Sequence, residues 1–254
     1  MNWNDGDRLE ENTLALTNLV SHGVIQTVEN LRLNLRHPPG KHLQELVPCV
    51  TGTIKIITHL TDYSLATLLD AVKCKELHLF ANRLDQEETE ALVRTMTSSV
   101  ETLHLYVCSV FHMDYETFSK YSGDGKCTEV HLHSVRGCDL SSLLDSINVK
   151  ELHLFARLKA FNQDQTEAMV RAMTSRVEIL HLGGNGRLNI DFDTLTMYKG
   201  DGKCREVHII EMKDKWLDEE GAKFWADQMD WDCKFRNQDC DYLLTLEEVK
   251  DLTV

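Results

Sequence analysis

Proline is almost missing from this chain of 254 residues: Pro38, Pro39 and Pro48 are all there is. With no Gly/Ser-rich, Pro-rich or single-charge tract besides, little of it has the composition of a linker or a disordered segment. Long apolar runs are missing too. None approaches the roughly 18 to 20 residues that a membrane-spanning helix needs. The opening stretch, Met1-Asn2-Trp3-Asn4-Asp5-Gly6-Asp7, is polar and acidic, the wrong chemistry for a signal or transit peptide. Basic residues are outnumbered, 27 Lys+Arg against 41 Asp+Glu, for a formal charge of −14. Neutralising phosphates takes clustered cations, so binding to nucleic acid or an anionic membrane is not expected. An acidic surface favours a basic protein partner instead. Eight cysteines contain no C-x-x-C pair, which excludes zinc-ribbon spacing. No nucleophile elbow, HExxH or recognisable Cys/His setting occurs either, so the chain is expected not to be an enzyme and to need no cofactor.

What the chain has is repetition. Cys74-Lys75-Glu76-Leu77-His78-Leu79-Phe80 returns as Val100 to Tyr106, Cys127 to His133, Val149 to Phe155, Val177 to Gly183 and Cys204 to Ile210, with weaker copies at Val28 to Asn34 and Thr51 to Ile57. Each copy reads apolar, two free positions, apolar, free, apolar, free. The two-residue alternation predicts a strand with one buried face. Copies return every 22 to 28 residues, from Leu31 through Ile54, Leu77, Leu103, Val130, Leu152 and Leu180 to Val207. One copy cannot bury its apolar face alone, but stacked copies make a parallel sheet with a shared core. Cys74, Cys127 and Cys204 occupy the position that Val holds in other copies, so they read as small buried hydrophobes, and reduced thiols suit a cytoplasmic protein.

Between the strands, Asp85-Gln86-Glu87-Glu88 opens a helical pattern that returns 77 residues on as Asn162-Gln163-Asp164-Gln165. An Asp or Asn followed three positions later by Glu or Gln is a capping-box signature. Leu92/Met96 and Met169/Met173 then share one buried helix face. Leu65 to Asp70 and Leu140 to Asp145 read as shorter helical turns. Gly123-Asp124-Gly125-Lys126 and Gly200-Asp201-Gly202-Lys203 invite a phosphate-loop reading, which fails because the first Gly of that motif is absent and a strand follows instead of a helix. Gly123 and Gly200 are expected in the left-handed conformation that ends a short helix. Residues 1–27 should form a capping helix (about Leu9 to Val20), 28–229 the repeats, and 230–254 a closing hairpin from Trp231-Asp232-Cys233-Lys234-Phe235 and Tyr242-Leu243-Leu244-Thr245-Leu246, one domain overall. A further helix is expected at Glu219 to Met229. Covering the last strand would keep its edge from recruiting other chains.

The L-x-L strands with helical connections at this spacing resemble leucine-rich repeats of the ribonuclease-inhibitor type. The V-E-x-L-H-L motif, the G-D-G-K-C-x-E-V-H segment and the Trp-containing terminal hairpin look like the C-terminal sensor arrays of NOD-like receptors. The resemblance implies an α/β leucine-rich-repeat solenoid: a curved parallel sheet with helices on its convex side and a concave face that engages a protein, with innate immune sensing as the setting it suggests.

In such strands the last three free positions point away from the core. Stacking aligns them into columns: Asn30, Thr53, Glu76, Thr102, Glu129, Glu151, Ile179, Glu206; then Arg32, Lys55, His78, His104, His131, His153, His181, His208; then Asn34, Ile57, Phe80, Tyr106, His133, Phe155, Gly183, Ile210. Six of the twelve histidines thus share one register, within stacking distance at a strand spacing of roughly 4.8 Å. The candidate partner-binding residues are Glu76, His78, Phe80, His104, Tyr106, Glu129, His131, His133, Glu151, His153, Phe155, His181, Glu206 and His208. Several readings stay open here: a ladder of neutral imidazoles bonded to the Glu column, a contact surface for a protein, a pH sensor, and a transition-metal site at His104, His131, His133 and His153 beside Glu129. The spacing alone fixes no second shell for a metal, so none of these residues is assigned to one. A stand-alone inhibitor or scaffold that occludes a basic protein is a further alternative.

Overall fold

The computed structural model describes residues 27–35, 41–58, 64–106, 111–135, 140–156, 162–184, 202–212, 232–236 and 241–245, with Asn18, His22 and Thr194 singly. It is a mixed α/β protein in two compact units, Met1–Asp139 and Leu140–Val254.

The first unit contains the strands β1 (Val28–Leu35), β2 (Val50–Thr58), β3 (Glu76–Phe80), β4 (Arg83–Leu84), β5 (Thr102–Tyr106), β6 (His112–Met113) and β7 (Glu129–Val135). Five of them pair in parallel in the order β1-β2-β3-β5-β7, while β4 and β6 make a small parallel pair of their own. The register joins equivalent positions of the sequence copies: Leu31, Ile54, Leu77, Leu103 and Val130 form one row. A second row is Leu33, Ile56, Leu79, Leu105 and Leu132, and every residue of both rows is buried. Each such side chain contributes at most about 1.5–3 kcal/mol by leaving water. Truncating one, for example Leu103→Ala, should cost about 2–5 kcal/mol.

Connecting the strands are α1 (Lys41–Leu46, followed by a 3₁₀ turn at Val47–Cys49), α2 (Ala66–Asp70), α3 (Gln86–Ser98) and α4 (Tyr115–Phe118). The expected capping box opens α3: Asp85 Oδ1 accepts from Glu88 N–H and Glu88 Oε2 from Asp85 N–H, both at 2.9 Å. Glu88 does more than the motif implies, because its other oxygen accepts from the Leu65 N–H at 2.7 Å and so ties α3 to the start of α2. Thr95 Oγ1 reinforces the contact by donating to the Leu69 carbonyl at 2.8 Å.

Gly123 has φ of 79°, the expected left-handed conformation, which costs a glycine little. It sits beyond the turn after α4, not at the helix end, so its work is to aim the chain at β7. Gly125 is needed for a different reason. A Cβ there would lie 2.6 Å from Thr97 Cα, because the next two amides, Lys126 and Cys127, donate to the Thr97 and Met96 carbonyls that close α3.

The second unit holds α5 (Leu140–Ser146), β8 (Glu151–Ala156), α6 (Gln163–Ser175), β9 (Ile179–Gly184), β10 (Glu206–Met212), β11 (Asp232–Arg236) and β12 (Asp241–Thr245). β8, β9 and β10 are parallel and aligned copy to copy. Asn162 and Gln165 form the expected capping box of α6, and Met169 and Met173 are buried. The closing hairpin is present: β12 pairs antiparallel with β10 and β11 with β12, which covers the β10 edge. The expected helices at Leu9 to Val20 and Glu219 to Met229, the loop at 37–40, Gly200 and Trp231 lie outside the described residues.

Six motif copies place their first residue two positions ahead of the strand. There Cys74, Cys127 and Cys204 are buried, each donating its thiol to the carbonyl of the Glu two residues on. Burial pushes the thiols up to about 11 at Cys74 and about 12 at Cys127 and Cys204, which makes them structural and unreactive. Neither these three nor Cys49 is in a disulfide. Among the described residues no helix is long and apolar enough to cross a membrane.

Candidate recognition face and histidine ladders

Since successive strand side chains alternate between faces, burial of the two Leu rows turns positions 76, 78 and 80 and their equivalents to the opposite face. In the first unit the register pairs Arg32 with Lys55, Lys55 with His78, His78 with His104 and His104 with His131. The rings of His78 and His104 stack at 4.0 Å and 3°, those of His104 and His131 at 4.1 Å and 23°. In the second unit His153 and His181 stack at 3.8 Å and 4°, His181 and His208 at 4.3 Å and 26°.

The Glu column holds these rings. Nε2 of His78 donates to Glu76 Oε1 at 2.8 Å, and His104 Nε2 lies 2.8 Å from the same oxygen. Thr53 Oγ1 donates to Glu76 Oε2, as Thr102 Oγ1 does to Glu129 Oε2. His131 Nε2 donates to Glu129 at 2.6 Å, His153 Nε2 to Glu151 at 3.0 Å and His208 Nε2 to Glu206 at 3.0 Å. His181 Nε2 is 2.7 Å from Glu151 Oε1. With the Nε2 proton turned to glutamate, a neutral imidazole presents Nδ1 as its acceptor. His133 Nε2 accordingly meets His104 Nδ1 at 2.9 Å, and the Tyr106 hydroxyl meets His78 Nδ1 at 3.3 Å.

The ladder is far less open to water than a strand face suggests. His104 and His153 are buried and the other four rings are half-buried, because each ring is covered by its neighbours. Burial is the leading reason that His104 is drawn down to about 2, and the adjacent imidazoles of His131, His78 and His133 push the same way. Burial and His131 draw His133 down to about 4. In His78 and His131 burial also lowers the pKa, against the upward pull of Glu76 and Glu129. These four rings are therefore neutral at physiological pH.

The third column is aromatic in the first unit. Phe80 stacks on Tyr106, Tyr106 on His133 at 4.4 Å, and Lys55 Nζ sits 4.5 Å above the Phe80 ring. All four side chains are half-buried. Among the described residues no carboxylate is within ion-pair distance of Lys55, whose ammonium is lowered by burial and by Arg32. Phe155, in the second unit, lies beside His153 with ring centroids 6.0 Å apart and is followed in register by Gly183.

One ring nitrogen each of His104, His131 and His133 lies within 4.8 Å of the others, and within the second unit the same holds for one ligand atom each of Glu151, His153 and His181. The fourteen sequence candidates thus divide by unit, eight residues in the first and six in the second. What the sequence reading missed is Thr53 and Thr102 as donors to the Glu column and Lys55 as a cation on the rings; Thr facing Glu in the first column was the available signal. No protein-family model matches the chain, and no curated protein matches it.

Proposed function

We propose that this chain is a leucine-rich-repeat solenoid of the ribonuclease-inhibitor type, similar to the sensor arrays of NOD-like receptors, and that it works in the cytoplasm as a non-catalytic protein-recognition module. Its docking surface is the face that carries the histidine ladders, and its anchors are aromatic. The observation that carries this reading is the run Phe80, Tyr106 and His133 with Lys55 above it: half-buried rings beside charged groups are the composition of binding hot spots. Occlusion of a basic protein by the acid column is less well supported, since the carboxylates of Glu76, Glu129, Glu151 and Glu206 are engaged with histidines. A strand face lined by neutral imidazoles such as His104 and His133 also suits binding better than catalysis.

The test is capture from native lysate by the intact chain, by Phe80→Ala/Tyr106→Ala/Phe155→Ala and by Glu129→Gln/Glu151→Gln/Glu206→Gln. A partner held by the aromatic anchors should be lost from the first variant, with about 2 kcal/mol or more per anchor. It should remain with the second at a reduced on-rate. Retention by the aromatic variant together with loss from the charge variant would favour the occluder, and equal capture by all three would refute docking on this face.

A further inference from the structure

We infer that His104, His131 and His133 form a binding site for a transition-metal dication of the Zn2+ type, with Glu76 and Glu129 as the groups that orient two of the three rings. Imidazole nitrogen is a ligand well suited to such ions. Ligating histidines characteristically donate their other ring N–H to a carboxylate, which fixes tautomer and orientation. His131 shows that pattern, its Nε2 donating to Glu129 Oε1 at 2.6 Å, while His104 Nε2 lies within ion-pair distance, 2.8 Å, of Glu76 Oε1. Both carboxylates are themselves held by hydroxyls, from Thr53 and Thr102. A neutral ring whose Nε2 carries the proton holds its lone pair on Nδ1, and His104 Nδ1 faces His133 Nε2 at 2.9 Å.

Ring orientation separates this cluster from the stacked pairs His78–His104 and His153–His181, each beside a glutamate. A ligated ion must lie near the plane of every ring that binds it. His78 and His104 are 3° from parallel at 4.0 Å, and His153 and His181 are 4° from parallel at 3.8 Å. An ion cannot lie in both planes of such a pair, and its two Nε2 atoms already share one carboxylate oxygen, of Glu76 or of Glu151. His133 instead lies beside His104, with centroids 5.2 Å apart, and His131 is tilted 23° from His104. At Zn–N bonds of about 2.0–2.1 Å, tetrahedral nitrogens stand about 3.3 Å apart. Loading thus opens the His104–His133 separation by about 0.4 Å and turns His131 Nδ1 inward. A donor from outside the chain, such as water, completes a four-coordinate shell.

The experiment is calorimetric titration of ZnCl2 into the full-length, chelator-stripped and reduced chain at pH 7.5, with Co2+ as a spectroscopic probe. A saturable site is expected that His133→Phe, which keeps a stacking ring but no ligand atom, weakens at least about tenfold. Glu76→Gln and Glu129→Gln should each weaken it about 10–100-fold, while His208→Phe in the second unit leaves it unchanged. Co2+ bound to the wild type should show ligand-field bands of a four-coordinate complex that His133→Gln abolishes, a readout that holds even if one variant folds poorly. No saturable binding, equal affinity in wild type and His133→Phe, or an equal loss in His208→Phe would overturn the site.

Discussion

In the first unit His78, His104 and His131 stack at 4.0 and 4.1 Å; in the second His153, His181 and His208 stack at 3.8 and 4.3 Å. Both spines keep one histidine per strand, and in each the first and last histidines follow a glutamate two positions before. Their flanks differ. The first unit sets Thr53 and Thr102 next to its glutamates and Tyr106 and His133 next to its rings; the second has Ile179 and Gly183 at the equivalent positions. Ring stacking therefore follows from parallel register at a fixed strand spacing, whatever stands beside it. Hydroxyl and imidazole bonds to the spine depend on the flanks, and they concentrate in the first unit. The comparison predicts that perturbing the spine should matter in both units and perturbing the flanks in one.

The largest expected difference is in acid. A histidine whose pKa is lowered on folding binds its proton more readily in the unfolded chain, so it adds stability above the unfolded value of about 6.5 and loses it as pH falls. The loss continues until the folded ring itself protonates, at about 4 for His133 and about 2 for His104. Each ring inside that window steepens the decline by up to about 1.4 kcal/mol per pH unit. Urea unfolding from pH 7.5 to 4.5, with chelator present, should show a steep loss that His104→Gln/His133→Gln flattens. The matched His153→Gln/His181→Gln pair should flatten it less, since no second imidazole column adjoins that spine. Equal flattening by the two pairs would mean that the extra column does not matter.

A smaller contrast lies in the acid column. Glu76 contacts two histidines and accepts from Thr53, whereas Glu206 accepts from His208. Both side chains keep over a third of their surface in water (36% and 42%), so the lower part of the range for charged hydrogen bonds applies. Glu76→Gln should cost about 1–2 kcal/mol at pH 7.5 and Glu206→Gln about 0.5–1 kcal/mol, read from denaturant midpoints at constant m. If Glu206→Gln proved the costlier, sharing of one carboxylate by two rings would not be what stabilises the first ladder.

Much of this was legible in the sequence because one period repeats. The apolar positions of β3, β5, β7, β8, β9 and β10 come from a single rule, and a parallel register then forces His78 beside His104 and His153 beside His181. The capping boxes at Asp85 and Asn162 are local, so three residues suffice to read them. The second role of Glu88, its bond to the Leu65 amide, joins elements 23 residues apart and left no local signal. Burial of the ladder was missed for a related reason. Alternation says which face a side chain leaves from, but not that rings on that face cover one another. Likewise the spacing could not show that His104 Nδ1 faces His133 Nε2, because side-chain rotation decides it.

The smallest contrast, and the one that isolates a flank, is the Tyr106 hydroxyl. Tyr106→Phe keeps the stack on Phe80 and His133 and removes only the bond to His78 Nδ1, at 3.3 Å a long one. A neutral hydrogen bond contributes about 0.5–1.5 kcal/mol, and this geometry places it at or below the low end. The expected loss is about 0.5 kcal/mol in urea unfolding at pH 7.5. NMR should report the same change more directly: without the hydroxyl, the His78 Nδ1 resonance should move toward that of an acceptor bonded to water, while His153, whose flank is Phe155, stays put. A shift at His78 equal to that at His153 would show that the hydroxyl does not set the His78 tautomer, and that the first ladder owes its order to Glu76 alone.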